Sequence, residues 1–312
     1  MKPIQLLLLL LLAPLAMKAQ TRYTVSGTVK DASNGEELIS ASVVVKGTST
    51  GTTSNTYGFY SLSLDAGKYT LVYSYIGYEP QTVEVDLTSN KTINIELKET
   101  VSEVAEVVIT GEKADKNVSE NKMSSVTLDV KTIRKVPVLL GEMDIIKVAQ
   151  LLPGVQAAGD GSTLTIVRGG NIDHNLVVLD EAVVYNPSHV IGFFSVFNGD
   201  AIKDFEIYKG GTPAQFGGRL SSVMDVRMKE GNLKKYGVYG GIGVLSSRVT
   251  VEGPIKKDTG SFIVSGRRSY FDMFFPLSQQ TKDAKAYFGD LNVKMNYALS
   301  DKDRLFVSFY TG

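Results

Sequence analysis

Few residues in this 312-residue chain have the types and spacing that chemistry requires. Its two histidines, His174 and His189, are the natural place to look for a metal, since neutral imidazole is a common ligand. His174 directly follows Asp173, and neighbours on a strand point to opposite faces, so that pair does not share an ion. His189 stands fifteen residues further on, with no ligand spacing. Asp180 and Glu181 offer two carboxylates for acid–base work, but side by side in a turn they read as solvated acids. Gly169-Gly170, Gly210-Gly211 and Gly217-Gly218 fit neither G-x-x-x-x-G-K-[ST] nor G-x-G-x-x-G, and read as tight turns. With no cysteine there is no thiol nucleophile, disulfide or lipid attachment site. The expectation is no catalytic residues, no metal and no cofactor. Arg168 and Arg219 stand apart, because a guanidinium is always charged and, once enclosed, needs a carboxylate.

The elements that would position these residues are strands. From Tyr287 to Leu299 the odd positions (Leu291, Val293, Met295, Tyr297) are apolar or aromatic, and the even ones hold Asp290, Asn292, Lys294 and Asn296. A period of two puts the sets on opposite faces. Tyr287 and Tyr297 lie on the apolar face, and the intervening strand of roughly 33 Å, tilted, spans about the ~25 Å apolar band of an outer-membrane barrel. At the N-terminus, Lys2, the leucines Leu6 to Leu12 and the small Ala19 read as a secretory signal peptide over residues 1–19, too short for a transmembrane helix. Lys plus Arg and Asp plus Glu both total 33, so nothing marks nucleic acid as a partner.

Residues 20–98 read as an all-β sandwich. Short alternating runs (Tyr23 to Val29, Ala41 to Val45, Gly58 to Leu64, Lys68 to Tyr75, Gln81 to Asp86, Thr92 to Leu97) are separated by turn signals, among them Gly47 to Gly51. The pattern Val25-x-Gly27-x-Val29-x-Asp31, Ala41-x-Val43, Gly47-Thr48, Gly51-Thr52 and Gly58-x-Tyr60 resembles the carboxypeptidase-regulatory-like β-sandwich, which implies a structural or interaction domain. Residues 99–122 are a charged linker, and within it lies the β-prone string Glu106, Val107, Val108, Ile109, Thr110, Gly111. It resembles the TonB box of TonB-dependent outer-membrane receptors, a segment that recruits TonB by strand addition.

Residues 123–231 read as α+β, with a helix over 144–152 stopped by Pro153-Gly154, and strands at Thr163 to Val167, Asn175 to Asp180, Ile202 to Tyr208 and Ser222 to Met228. Leu151-Leu-Pro-Gly-Val155, Val167-Arg-Gly-Gly170, Asn175-Leu-Val-Val-Leu-Asp180, Val184-Tyr-Asn-Pro187, Phe193-Phe-Ser-Val-Phe-Asn198, Ile207-Tyr-Lys-Gly-Gly211 and Pro213-Ala-Gln-Phe-Gly-Gly-Arg-Leu220 occur in the order of the receptor plug domain. Glu181 departs from the family's usual Leu-Asp-Gly turn and leaves that turn's geometry open. The resemblance implies that Arg168, Gly169, Gly170, Asp180, Gly210, Gly211, Gly217, Gly218 and Arg219 are plug-motif positions. It also implies that the arginines face acids on a barrel wall, with Glu252 as the early candidate.

Residues 232–312 carry strands of the membrane type: Val249 and Val251 alternate with Arg248, Thr250 and Glu252, and Phe262, Val264 and Tyr270 with Ser265, Arg267 and Ser269, Ile263 being the exception. The fold class expected is mainly β: a sandwich, an α+β plug and the first antiparallel strands of an incomplete transmembrane barrel. The function implied is energised uptake of a scarce ligand (iron chelate, vitamin or glycan) across the outer membrane. TonB with its inner-membrane complex and outer-membrane lipid are the partners, and the N-terminal domain is periplasmic. A surface adhesion or signalling protein on the same scaffold and a soluble periplasmic β-protein are the alternatives. The Leu-Asp-Glu turn disfavours a SusC-like importer with a SusD-like lipoprotein partner. About 22 strands close such a barrel, and the roughly 80 residues after residue 231 supply few of them, so a fragment unable to transport alone is expected.

Overall fold

The computed structural model describes residues 22–100, 124–129, 133, 143–189, 192–270, 287–300 and 303–312. The expected signal peptide, the string Glu106 to Gly111 and the connection Phe271 to Ala286 lie outside the described residues. The chain divides into two compact units, up to Ser102 and from Glu103 onward.

In the first unit, β1 (Arg22–Asp31), β2 (Ser42–Val45), β3 (Gly51–Thr53), β4 (Phe59–Asp65), β5 (Gly67–Ser74), β6 (Gln81–Leu87), β7 (Lys91–Thr92) and β8 (Ile95–Leu97) form two four-stranded sheets. One has β1 between β4 and the parallel pair β7 and β8, and the other runs β3-β2-β5-β6. Alternation places Val25, Val29, Val43, Val45, Leu62 and Leu71 in the shared core. Tyr60 and Tyr73 join it because their hydroxyls are satisfied: Tyr73 bonds Tyr60 at 2.8 Å, and Tyr60 donates to the Ile93 carbonyl at 2.8 Å. Burial pushes both phenols up. Two expectations change. Gly51–Thr53, whose first residue closes the expected turn Gly47 to Gly51, is a strand paired with β2. The run Thr92 to Leu97 breaks at Asn94, whose side-chain oxygen accepts from the Thr28 amide at 3.0 Å and hydroxyl at 3.2 Å and so replaces a strand bond.

The second unit opens with a mixed sheet. β9 (Ser125–Asp129) precedes α1 (Ile145–Ala149), β10 (Val155–Ala157), β11 (Thr165–Val167), β12 (Asn175–Leu179), β13 (Ala182–Val183), β14 (Ser188–His189), β15 (Phe194–Ser195), β16 (Ile202–Tyr208) and β17 (Ser222–Met228). The five-stranded order is β13-β12-β17-β16-β9, with β12 and β17 parallel. Phe205, Ile207, Met224, Val226 and Met228 share a core with the buried side of α1. Asp144 caps α1 by accepting from the amides of Ile146 and Lys147, and its other oxygen accepts from Ser195 at 2.9 Å. The helix is shorter than the expected 144–152, because Leu151 and Leu152 bond to carbonyls three residues back and tighten into a turn before Pro153.

β18 (Gly237–Ile242), β19 (Ser246–Lys256), β20 (Gly260–Ser269), β21 (Gly289–Ala298) and β22 (Arg304–Thr311) follow as a consecutive antiparallel meander. Its polarity is inverted relative to a soluble sheet. Val238 is 72%, Ile242 92% and Phe309 53% exposed, while Ser265, Arg267, Asp290, Asn292, Lys294 and Asn296 are buried against the mixed sheet. Ile263 is buried on the inward face, as the one expected exception. The fold is mainly β, as the alternations require.

Gly27 tests the first unit. A Cβ there would sit 1.9 Å from the Ile93 carbonyl oxygen, where Ile93 already donates to the Ser26 carbonyl at 2.8 Å. Gly27→Ala should cost roughly 1–3 kcal/mol, read as a lower unfolding midpoint of this unit, whereas Gly47→Ala, which has open space around it but a positive φ, meets no such backbone clash.

Candidate functional site: a charged lock between the mixed sheet and the meander

The inward row of the meander meets the mixed sheet through charges. Arg267 on β20 and Asp290 on β21 have side chains 1% and 0% exposed. The Arg267 Nε donates to Asp290 Oδ2 at 2.8 Å, and its Nη2 reaches the Ser195 carbonyl on β15, which pairs with β14 in a separate two-stranded sheet, at 2.7 Å. The other Asp290 oxygen meets His189 Nε2 at 2.6 Å and accepts from the Tyr310 hydroxyl at 3.0 Å. The His189 ring stacks on Phe288 at 4.5 Å between centroids. One carboxylate therefore joins β20, β21 and β22 to β14.

A second contact centres on Asp180. Lys294 on β21 lies 3.1 Å from it and also donates to the Met228 carbonyl at 3.0 Å. Asp180 accepts from the Met228 amide at 3.0 Å and from Ser308 on β22 at 2.5 Å. In a third, Arg248 on β19 bonds Asp200 at 2.7 Å. Asn198 donates to Ser265 at 2.8 Å, and Asn296 reaches the Glu230 carbonyl at 3.0 Å.

Several expected site residues take other roles. Asp180 is not a solvated acid: it is enclosed, because the turn aims it at Lys294. Asp180 and Glu181 have φ of 45° and 72°, the two left-handed residues of a type I′ hairpin between β12 and β13. Glu181 thus occupies the place glycine prefers without changing the turn, and it remains exposed, 3.6 Å from Arg227. Arg168 and Arg219 do not face the meander. Arg168 bonds Ser124 at 3.0 Å and Arg219 the Gly218 carbonyl, and neither pairs with a carboxylate among the described residues. Glu252 lies beside Tyr239 instead. The reason is topological. Arg219 precedes the start of β17, whereas Met228, at that strand's far end, is the part that touches Lys294. At two of its contacts the lock has the opposite polarity to that expected: the meander supplies Arg248 and Lys294 against Asp200 and Asp180, whereas Asp290 of the meander meets His189. Sequence held the signal, since these cations sit at inward positions of the alternation.

Among the glycines, Gly169, Gly211 and Gly218 have φ of 75°, 60° and 81°, the turn role expected of them. A Cβ on Gly170 would meet the Ser221 side chain at 2.6 Å, and one on Gly210 the Arg168 guanidinium at 2.8 Å, while Gly217 has open space. At the end of β12 remote from Asp180, a cavity of about 610 Å³ is lined by Thr163, Asn171, Asp173, Asn175, Tyr185 and Arg219, among others. Among the described residues no group of three or more His, Asp or Glu could hold a metal ion.

A meander that is apolar outside and charged inside, closed on its inner side by a separate sheet, is the wall and plug of a membrane β-barrel. Comparison with known proteins agrees. Residues 25–109 match the CarboxypepD_reg-like domain and residues 118–222 the TonB-dependent receptor plug domain. TonB-dependent receptor P26 of Formosa agariphila is 30% identical over 220 residues, 66% of this chain and 21% of that protein. TonB-dependent receptor SusC of Bacteroides thetaiotaomicron is 29% identical over 225 residues, 67% of this chain and 21% of its own length. The crystal structure of the siderophore receptor PirA from Pseudomonas aeruginosa aligns with 60% of this chain and 33% of its own, at 16% identity and a TM-score of 0.45. The chain carries the N-terminal part of a TonB-dependent receptor. It spans about a fifth of the length of the two curated relatives named here.

Two measurements test the site. Lys294→Met leaves the enclosed Asp180 without its cation, at a cost of roughly 3–5 kcal/mol. The unfolding midpoint should drop, and pairing it with Asp180→Asn should restore much of the loss. The second concerns Asp204 on β16, buried and pushed up to about 6 chiefly by desolvation, against the lowering effect of Lys203 and Arg227. A raised carboxyl means that between about 3.9 and that value the folded state keeps a proton the unfolded state has released. Stability should therefore fall as pH rises through that window, by about 3 kcal/mol in all. Asp204→Asn should flatten the profile between pH 4 and 6, and an unchanged profile would assign the dependence to other groups.

Proposed function

We propose that this chain serves an outer-membrane receptor that takes up a scarce ligand, such as an iron chelate, vitamin or glycan, by coupling to TonB. Residues 1–19 direct export, 20–98 form a periplasmic sandwich, 99–122 carry the TonB box, 123–231 plug the lumen and 232–312 begin the wall. The observation that carries this reading is the inverted polarity of the meander together with its charged lock to the plug. Lipid tolerates the apolar outward face, and the plug segment supplies partners for the inward row. A likeness to SusC means that the Leu-Asp-Glu turn does not by itself separate this chain from that branch.

The plug topology suits a pull from the linker. β9, the strand that follows the linker, sits at the edge of the mixed sheet and, among the described residues, pairs only with β16. Force on β9 opens that one pairing and leaves the Asp180–Lys294 and Arg267–Ser195 contacts in place. A passage would open along β9 while the rest of the plug holds.

Val108→Pro in the receptor that contains this chain tests the coupling. Proline removes a backbone donor and fixes φ, which strand addition does not tolerate. Uptake of labelled ligand should fall to background while binding at the cell surface persists; normal uptake would move the box elsewhere.

A further inference from the structure

The outward face of the wall is mostly apolar along its described strands, with one charged residue at one end. On β20 the outward residues are Phe262, Val264, Gly266 and Arg268, set by alternation against the buried Ser265, Arg267 and Ser269. Arg268 is exposed, and its guanidinium lies 5.2 Å from the ring centre of Tyr287. It makes no ion pair or hydrogen bond among the described residues, although its neighbour Arg267 has a full set. In register, Arg268 pairs with Gly289 on β21 and Ser247 on β19. Tyr270, just past the end of β20, ties the turn after β18 by bonding the carbonyls of Gly243 and Ser246. Arg268, Tyr270 and Tyr287 thus form one level at the end of the strands that leads into the long connection Phe271 to Ala286. At the other end, Tyr236 and Tyr297 flank the short turns.

On the receptor reading, these two tyrosine levels are the aromatic girdles, and the end with the long connection faces outside. Among the described residues, this guanidinium on the lipid side of the outer girdle meets no protein anion. Its fork matches two oxygens of a phosphate, and the ring beneath it holds it at headgroup height. We infer that Arg268, seated on Tyr287, binds the phosphate of an outer-leaflet phosphorylated glycolipid. This inference rests on the receptor reading.

The test uses the full-length receptor extracted from outer membranes into neutral detergent. A phosphorylated acyl-disaccharide lipid and its dephosphorylated form are titrated, and the thermal midpoint is followed. The phosphorylated lipid should raise the midpoint of the wild type and the dephosphorylated lipid should not. Arg268→Gln should weaken the response roughly tenfold, as loss of a charged hydrogen bond implies, and Arg268→Lys should keep much of it. Equal responses of wild type and Arg268→Gln would overturn the inference while leaving the receptor reading intact. A wild type that responds to both lipid forms alike would also overturn it. Absence of the protein from the outer-membrane fraction would overturn both.

Discussion

The inward row of the meander sets the terms for the rest of the second unit. Its outward face is apolar, so the alternation of a strand forces the polar residues to the other side. There Arg267, Asp290, Lys294 and Asn296 are buried, and a buried ion without a partner is expensive. The plug segment supplies those partners: the Ser195 carbonyl for Arg267, His189 for Asp290, Asp180 for Lys294 and the Glu230 carbonyl for Asn296. Wall and plug are thus each incomplete alone, one needing partners for its charges and the other a cover for its acids.

That dependence explains local features of the plug. The type I′ hairpin at Asp180 and Glu181 keeps two non-glycine residues in the left-handed region, a conformation that costs about 1–2 kcal/mol per residue. The turn is held there because the carboxylate of Asp180 gathers Lys294, Ser308 and the Met228 amide at its tip. Asp144 plays a similar double part, capping α1 while fixing the strand that carries Ser195.

The same arrangement divides the plug into parts of unequal strength. β12, β16 and β17 sit inside the sheet and carry or neighbour the charged contacts, whereas β9 is an edge strand. An edge strand is held by one ladder and yields first to a pull on its free end.

Periodicity made much of this legible in the sequence. The two-residue alternation marked most strands of the sandwich and the outward and inward faces of the meander, with Ile263 standing out as the exception, but it missed β3 and the break at Asn94. Block order from Leu151 to Leu220 marked the plug. It did not reveal pairing. Asp180 and Glu181 look alike in sequence, yet one is enclosed and the other faces water, because a hairpin tip aims successive side chains apart. Arg168 and Arg219 look like anchors, but they bond Ser124 and the Gly218 carbonyl rather than the described strands of the meander. His189 and Asp290, 101 residues apart, meet only because the plug folds inside the meander. Which residue faces in is a property of local alternation and was settled by the sequence itself. Which inward charge meets which is a long-range contact, and only the tertiary fold decided it.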